Sequence, residues 1–188
     1  MTNQLVLVGG GVRSGKSTFA LARARSLGAR RAFIATAQAF DDEMRDRIAR
    51  HRDERGTEFR TIEAPLDVAE AVASLAEIDV VVIDCLTLWL SNLLLHELPP
   101  EQILARVDAL VAELARRRFH AIVVTNEVGM GVVPETPLGR AFRDLAGMTH
   151  QRFAREADEI DVAILGTVLR LKPSPVQLQN ESSHAPAD

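Results

Sequence analysis

A glycine-rich loop near the start of the chain has the spacing of a phosphate-binding site. Gly10 and Gly15 frame the pattern G-x-x-x-x-G-K-S, between an apolar run at 5–9 and a helix that we predict to begin near Lys16. Glycines let backbone N–H groups turn toward phosphate oxygens, and the helix start and the lysine both add positive charge. A glycine-rich turn that carries a lysine by chance is the alternative. The flanking strand and helix favour a nucleoside triphosphate site, whose expected residues are Gly10, Gly11, Val12, Arg13, Ser14, Gly15, Lys16 and Ser17.

A carboxylate later in the chain could complete this site with a metal ion. Asp84 follows the apolar run at 80–83, and ligands of open α/β sheets collect at the carboxyl ends of such strands. Together with the hydroxyl of Ser17, it could hold the Mg²⁺ that accompanies a triphosphate. The alternative is that Asp84 caps a helix beginning at Leu86. We expect its neighbour Cys85 to be a small buried residue rather than a nucleophile.

The arginine-rich segment at 41–56 supplies a third candidate. At helical spacing Met44, Ile48 and His51 share one face, and Arg55 follows one turn later. A neutral imidazole, with a reference pKa of about 6.5, is a good nucleophile toward phosphorus, and nearby arginines stabilise phosphate charge. The alternative is a solvated, salt-bridged helix with an ordinary histidine. Spacing does not decide between the two.

These candidates are separated by a regular alternation of strand-like and helix-like segments. The short apolar runs do not alternate with polar residues, which indicates strands buried on both faces and a mostly parallel sheet covered by helices. They lie at 5–9, 31–37, 80–83, 121–125 and 161–165. Helical patterns lie at 41–55, 101–118 and 137–157, the last with Gly147 as a candidate break. We therefore predict an α/β fold, a P-loop NTPase-like three-layer sandwich in one domain at 1–172, followed by a disordered tail at 173–188.

The composition argues against several other classes of protein. With 188 residues, of which 47% are hydrophobic, the chain can bury the core of one ordinary domain. Its 22 Lys and Arg residues face 26 Asp and Glu, and a net charge of −4 gives no basic field for nucleic acid. One cysteine cannot form an intramolecular disulfide, which favours a reducing, cytoplasmic setting. We expect no membrane span, because no apolar run approaches the necessary length of about 18 residues.

Triphosphate binding alone leaves a phosphotransferase, a nucleotide switch and an ATP-driven motor open. Guanine-specific switches usually carry N-K-x-D after a late strand, whereas the run at 121–125 leads into Asn126-Glu127-Val128-Gly129. A D-x-x-G match at 144–147 lies inside a helical pattern. A motor would need a larger chain or a partner surface. The small size favours a kinase or a nucleotidyl transferase that acts on a small molecule.

Beyond the phosphate loop, several longer segments occur in a distinctive order. They are GGGVRSGKS, IATAQAFDDEMRDRIARHRDER, VVIDCLTLWLSNLL, VTNEVGMGVVPETPLGRAFRDLAG, HQRFAREADEI and LRLK. In this order they resemble the bifunctional adenosylcobinamide kinase / adenosylcobinamide-phosphate guanylyltransferases of cobalamin biosynthesis, from about residue 5 to residue 172. The loop, the D-x-E-M-x-x-R-I-x-x-H segment and the N-E-V-G-x-G-x-x-P segment are together far more specific than a phosphate loop alone.

The resemblance implies two reactions at one nucleotide site. ATP or GTP would phosphorylate the aminopropanol hydroxyl of adenosylcobinamide, and GMP from GTP would then be joined to that phosphate with release of pyrophosphate. His51 would carry GMP as a phosphoramidate, which reverses the preference given by spacing, and Lys16 would act with it in catalysis. Mg²⁺, a corrinoid partner and a homo-oligomer, with a trimer as the expected state, are also implied. The implied nucleotide contacts outside the loop are Thr36, Arg52, Asp53, Glu54, Arg55, Glu63 and Asp84.

The chain departs from the family pattern in two places. An asparagine commonly precedes the glutamine where this chain has His150-Gln151, and the segment after Gly166 often contains proline where it has Thr167-Val168. The loop at 126–134 matches the family, and it is either a structural turn or a loop that lines the substrate. Two alternative functions stay open: a single-function small-molecule kinase that makes no use of His51, and a non-catalytic GTP-binding regulator.

Overall fold

A seven-stranded sheet runs through the part of the chain that the computed structural model describes, residues 2–39 and 41–173. Its strands are β1 (Leu5–Gly10), β2 (Arg31–Ala35), β3 (Phe59–Glu63), β4 (Val80–Asp84), β5 (His120–Val124), β6 (Glu159–Ile164) and β7 (Thr167–Lys172). The helices are α1 (Lys16–Leu27), α2 (Asp42–Arg55), α3 (Val68–Ala73), α4 (Leu86–Leu95), α5 (Pro100–Ala115) and α6 (Pro137–Glu156). The tail predicted for 173–188 lies, beyond Pro173, outside the described residues.

The strand order decides which residues can meet at one edge of the sheet. The order is β3-β2-β4-β5-β1-β6-β7, in which the first six strands are parallel and β7 pairs antiparallel with β6. β5 therefore lies between β1, which leads into the phosphate loop, and β4, which ends in Asp84. Leu165 and Gly166 join β6 to β7, and their φ angles of 52° and 75° suit a tight hairpin turn.

Helices cover both faces of the sheet. On β4, Val81 and Ile83 belong to a core shared with α3, α4, α5 and α6, whereas Val80 and Val82 belong to a second core beneath α1. All four side chains are buried. Successive side chains of a strand point to opposite faces, so a strand covered on both sides needs an unbroken apolar run. The predicted three-layer sandwich is confirmed.

The predicted elements agree with the structure within three residues at their ends, where a prediction was made. α6 continues through Gly147, so the candidate break there is wrong. The strands β3 and β7 and the helix α3 were not predicted, and α4 was considered only as the helix beginning at Leu86 that Asp84 could cap. None of the helices within the described ranges is long and apolar enough to cross a membrane.

Candidate active site

The phosphate loop connects β1 to α1 at the carboxyl edge of the sheet. Gly10 and Gly15 have φ angles of 152° and 94°, which residues with a side chain rarely adopt. A Cβ atom on Gly10 would also lie 2.5 Å from the carbonyl oxygen of Ala163, so the loop packs directly on β6. The predicted helix start is confirmed, because α1 begins at Lys16 with Gly15 as its N-cap. The first N–H groups of α1 are therefore available to an anion above the loop.

Lys16 places its ammonium group within this loop. Only 7% of the residue is exposed, and Nζ donates a hydrogen bond to the carbonyl oxygen of Gly11 at 3.0 Å. The hydroxyl oxygen of Ser14 is buried nearby in the same loop and makes no hydrogen bond within the described residues. A buried hydroxyl normally has a partner, and a bound phosphate would provide one. The loop thus has the donors and the cation of a polyphosphate site.

Asp84 lies across β5 from the loop, at the end of β4. Two strand spacings, about 10 Å, separate β4 from β1. The Ser17 hydroxyl, at the start of α1, nevertheless forms a hydrogen bond with the Asp84 carboxylate. Burial raises the pKa of Asp84, and the Ser17 hydrogen bond and the charges of His51, Lys16 and Arg55 oppose that rise. The N-cap of α4 is Cys85, which makes no capping hydrogen bond through its side chain. The alternative role of Asp84 as the helix cap is therefore wrong.

One cavity of about 500 Å³ connects the phosphate loop, Asp84 and α2. Lys16, Ser17 and Asp84 lie at one end of it, and Thr61 and Glu63 of β3 line it at the other. The α2 wall consists of Met44, Ile48, His51, Arg52 and Arg55. Met44, Ile48, His51 and Arg55 recur at intervals of four, three and four residues and all line the cavity, so the prediction that they share one face of the helix is confirmed. His51 is half-buried in this wall.

The two arginines of the α2 wall are held in different ways. Arg55 is buried, with its guanidinium carbon 4.0 Å from the centre of the Phe33 ring, a cation–π contact. Arg52 donates from Nη2 to Oε1 of Glu63 at 2.8 Å, and both side chains are mostly exposed. Exposed pairs of this kind contribute about 0 to 1 kcal/mol, so a ligand could replace this contact at little cost. The side chain of Asp53 is exposed and does not line the cavity.

Thr36 lies beneath the cavity rather than in its wall. Its side chain is fully buried; Oγ1 donates to the carbonyl oxygen of Cys85 at 2.9 Å and accepts from the Cys85 N–H at 2.8 Å. Asn92 donates from Nδ2 to the Thr36 carbonyl oxygen at 2.8 Å. These bonds fix the segment that follows Asp84, so the structure gives Thr36 a positioning role at the cavity floor.

Asn126 begins the loop at 126–134, interpreted above as either a structural turn or a substrate-lining loop, and it lines the cavity. It follows β5, and Nδ2 donates to Oγ1 of Thr87 at 2.8 Å. The neighbouring Cys85 is buried, and burial raises the pKa of its thiol to about 11. A thiol of that pKa is a poor nucleophile at neutral pH, which agrees with the structural role expected for Cys85.

The residues at this end of the cavity fit a magnesium ion bound together with phosphates. Mg²⁺ prefers oxygen ligands and is usually held by one or two protein groups, with water and substrate phosphates completing the octahedron. The Ser17 hydroxyl and the Asp84 carboxylate are in contact and form such a set. Within the described ranges, no group of three His, Cys, Asp or Glu side chains could hold a metal ion by itself.

Comparison with known proteins identifies relatives over most of the chain. Residues 6–171 match the family described as cobinamide kinase / cobinamide phosphate guanyltransferase. The bifunctional adenosylcobalamin biosynthesis protein CobP of Pseudomonas aeruginosa is 42% identical over 171 residues, which cover 90% of this chain and 98% of that protein. The bifunctional adenosylcobalamin biosynthesis protein CobU of Salmonella typhimurium is 39% identical over 181 residues, and CobU of Escherichia coli is 36% identical; each match covers 89% of this chain and 99% of the relative.

A solved structure supports the fold independently of these sequences. The crystal structure of the RadB recombinase superposes with a TM-score of 0.50 at 18% identity, covering 86% of this chain and 74% of that one. At this identity the likeness concerns the arrangement of strands and helices only.

Proposed function

The chain belongs to the cobinamide kinase / cobinamide phosphate guanyltransferase family, and we propose that it carries out both reactions of that family in the one cavity described above. It is an enzyme of cobalamin biosynthesis with kinase and guanylyltransferase activity. In the first reaction, the γ-phosphoryl group of ATP or GTP passes to the aminopropanol hydroxyl of adenosylcobinamide. In the second, GMP from GTP is joined to the new phosphate, and pyrophosphate leaves.

One observation carries this proposal: the phosphate loop, Asp84 and His51 line the same cavity. A kinase needs only the first two. Transfer of a nucleotidyl group through a covalent intermediate requires a nucleophile in addition, and the histidine on the α2 wall can serve as one.

In both reactions the loop binds the terminal phosphates. Its backbone N–H groups and Lys16 stabilise the negative charge that collects on the leaving oxygens, and they are already positioned before the reaction begins. Ser17 and Asp84 would hold the magnesium ion, which neutralises part of the same charge when bound.

In guanylyl transfer, a ring nitrogen of His51 attacks the α-phosphorus of GTP. The new N–P bond forms as the bond from that phosphorus to the bridging oxygen of pyrophosphate breaks. An oxygen of the corrinoid phosphate then attacks the same phosphorus, and the N–P bond breaks to release His51. Arg52 and Arg55 flank the histidine on the α2 wall and stabilise charge on the α-phosphate in both steps.

The far end of the cavity is suited to the nucleoside. The cavity as a whole has apolar walls from Phe33, Met44, Ile48 and Leu88, and at its far end the Glu63 carboxylate supplies a hydrogen-bond acceptor. The family resemblance also assigns Thr36, Asp53 and Glu54 to the nucleotide, and these three assignments stay predictions.

Intact-protein mass spectrometry tests the proposal. Wild type incubated with GTP and magnesium should gain one GMP in an acid-labile bond, His51→Ala should gain none, and His96→Ala, which changes an exposed histidine after α4, should behave as wild type. Active kinase without an adduct would leave a single-function kinase. Tight GTP binding with no corrinoid-stimulated consumption of nucleotide would leave a non-catalytic regulator.

We also propose that the enzyme works in the cytoplasm as a homo-oligomer, with a trimer as the expected state. Large apolar side chains stand exposed on the single chain, among them Met130, Val132 and Leu165 at 92%, 95% and 95%. Exposure of this kind supports association. Size-exclusion chromatography with light scattering measures the state, and a monomer at micromolar concentration would contradict it.

A further inference from the structure

Glu127 is fastened to the beginning of the phosphate loop. It lies three residues beyond the last residue of β5, the strand beside β1, and its backbone N–H donates to the carbonyl oxygen of Gly10 at 3.0 Å. The next residue of the loop, Gly11, accepts the hydrogen bond from Lys16 Nζ. The lysine of this pattern contacts the β- and γ-phosphates, so the Glu127 backbone is bonded to the loop one residue before the carbonyl group that holds this lysine.

The Glu127 side chain accepts one hydrogen bond within its own loop and has one longer contact with α6. Oε1 accepts a hydrogen bond from the N–H of Gly129, and Oε2 lies 3.8 Å from Nδ1 of His150 on α6. Nε2 of His150 is 2.7 Å from Oγ1 of Thr125, directly at the end of β5. Burial lowers the pKa of His150 although the Glu127 charge opposes this, so the ring is neutral at pH 7. The Glu127 side chain keeps 35% of its surface exposed.

The two reactions of the proposed function differ in their need for a proton acceptor. In the kinase reaction the attacking group is a hydroxyl, whose proton must leave as the new O–P bond forms. In guanylyl transfer the attacking groups are a neutral imidazole and then a phosphate that is already ionised. Only the first reaction therefore calls for a carboxylate beside the γ-phosphate.

Glu127 does not itself line the cavity but directly follows Asn126, which does, and the two acidic residues that line the cavity are placed for different tasks. Asp84 is bonded to Ser17 at the proposed magnesium position. Glu63 ends β3, which lies four strand spacings from β1, about 19 Å away. We therefore assign Asp84 to the magnesium ion and Glu63 to the distant end of the cavity, and the hydroxyl proton to neither.

We propose that Glu127 is the proton acceptor of the kinase reaction and that His150 is its positioning residue. The inference rests on the proposed function. As the corrinoid oxygen bonds to the γ-phosphorus, the bond from that phosphorus to the β-phosphate oxygen breaks, and the hydroxyl proton passes to a Glu127 oxygen and from there to solvent. His150, held by its hydrogen bond with Thr125, packs beside the second carboxylate oxygen and limits how far the carboxylate can turn.

Glu127→Gln separates this role from that of a turn residue. The amide oxygen of glutamine can still accept from Gly129 N–H, but the amide does not take up a proton. Kinase turnover on adenosylcobinamide and ATP should fall about 10²- to 10⁴-fold, whereas transfer of GMP from GTP to adenosylcobinamide phosphate should keep its wild-type rate. Glu135→Gln, which removes an exposed carboxylate later in the same loop, is the matched control and should keep both rates.

Two results with Glu127→Gln would overturn the inference. Full kinase turnover in Glu127→Gln means that no proton acceptor was lost, and an equal fall in both reactions means that Glu127 only holds the loop. His150→Ala should lower the kinase kcat with little change in the KM for ATP, and it should leave the rate of guanylyl transfer unchanged. A fall in the rates of both the kinase reaction and guanylyl transfer would reject the positioning role. Wild type that catalyses neither reaction would instead refute the proposed function.

Discussion

Replacing Gly10 with alanine tests the geometry of the phosphate loop, and Gly11→Ala is its matched control. The Cβ atom added at residue 10 would lie 2.5 Å from the Ala163 carbonyl oxygen and 2.7 Å from Ser14 Oγ, at a φ of 152°. The first of these atoms is backbone of β6, which cannot rotate away, so β1 and β6 must separate locally. At residue 11 the same methyl group meets nothing within 4 Å.

The size of the effect follows from this contact. Overpacking of a well-packed site lowers the free energy of unfolding by about 1 to 3 kcal/mol. In a domain of this length each kcal/mol lowers Tm by about 2 to 4 °C, so Gly10→Ala should melt about 2 to 12 °C below wild type. Gly11→Ala places its methyl group in open space and should move Tm by no more than about 2 °C in either direction.

Differential scanning calorimetry of the three proteins without nucleotide measures this difference. Circular dichroism before each scan shows whether the variants start from the same folded state. A Tm of Gly10→Ala equal to that of wild type would refute the argument that the loop is pressed against β6. An equally large fall in Gly11→Ala would show that the loop tolerates no side chain anywhere, for a reason other than the Ala163 contact.

Three further predictions concern the cavity. Burial raises the pKa of Asp84, so the ionised carboxylate lowers the free energy of unfolding once the pH rises above the pKa of an unfolded Asp, about 3.9. Asp84→Asn should therefore raise Tm at pH 7 and abolish both reactions. A lower Tm would contradict this. Cys85, buried and with its thiol pKa raised to about 11, should react with iodoacetamide at pH 8 far more slowly in the native protein than in urea; equal rates would show that it is accessible. The segment at 41–56 should move when GTP binds, because one loop serves the γ-phosphate in one reaction and pyrophosphate in the other; crystals with and without GTP that show His51 at one distance from the loop would exclude that movement.

The part of the fold that the sequence predicted is the part in which local pattern and environment agree. β4 is apolar at every position because both of its faces are covered, and α5 carries an apolar stripe because one face packs on the sheet. α4 was not among the predicted helical patterns, because its pattern and its environment do not give an apolar stripe on one face. Its sequence, LTLWLSNLLL, is apolar nearly all round because it is buried on most sides, so it shows no amphipathic period.

The edge strands were missed because they lack these signals. β3 buries only Phe59 among its five residues, and β7 leaves Leu169 and Leu171 exposed. Neither the unbroken apolar run of a central strand nor a clean alternation is present, so only pairing with β2 and β6 defines them as strands.

In the candidate site too, residues within one segment could be predicted and contacts between distant segments could not. The phosphate loop, Asp84 and the cavity face of α2 follow from spacing within one segment, and the structure brings them together. The place of Asn126 depends on β5 lying between β1 and β4, which the order of elements in the sequence does not state. The cluster of Glu127, His150 and Thr125 joins α6 to the end of β5 across 25 residues, and no local pattern links them.

The position of β1 in the sheet also has a consequence for synthesis. The phosphate loop precedes in the chain both strands that lie beside β1: β5 comes from His120–Val124 and β6 from Glu159–Ile164. Contacts of such long sequence separation form late. We therefore expect a nascent chain to hold a nucleotide in this loop only after residue 164 has left the ribosome exit tunnel, so GTP retention by stalled chains with C-terminal extensions of increasing length should begin abruptly at that point.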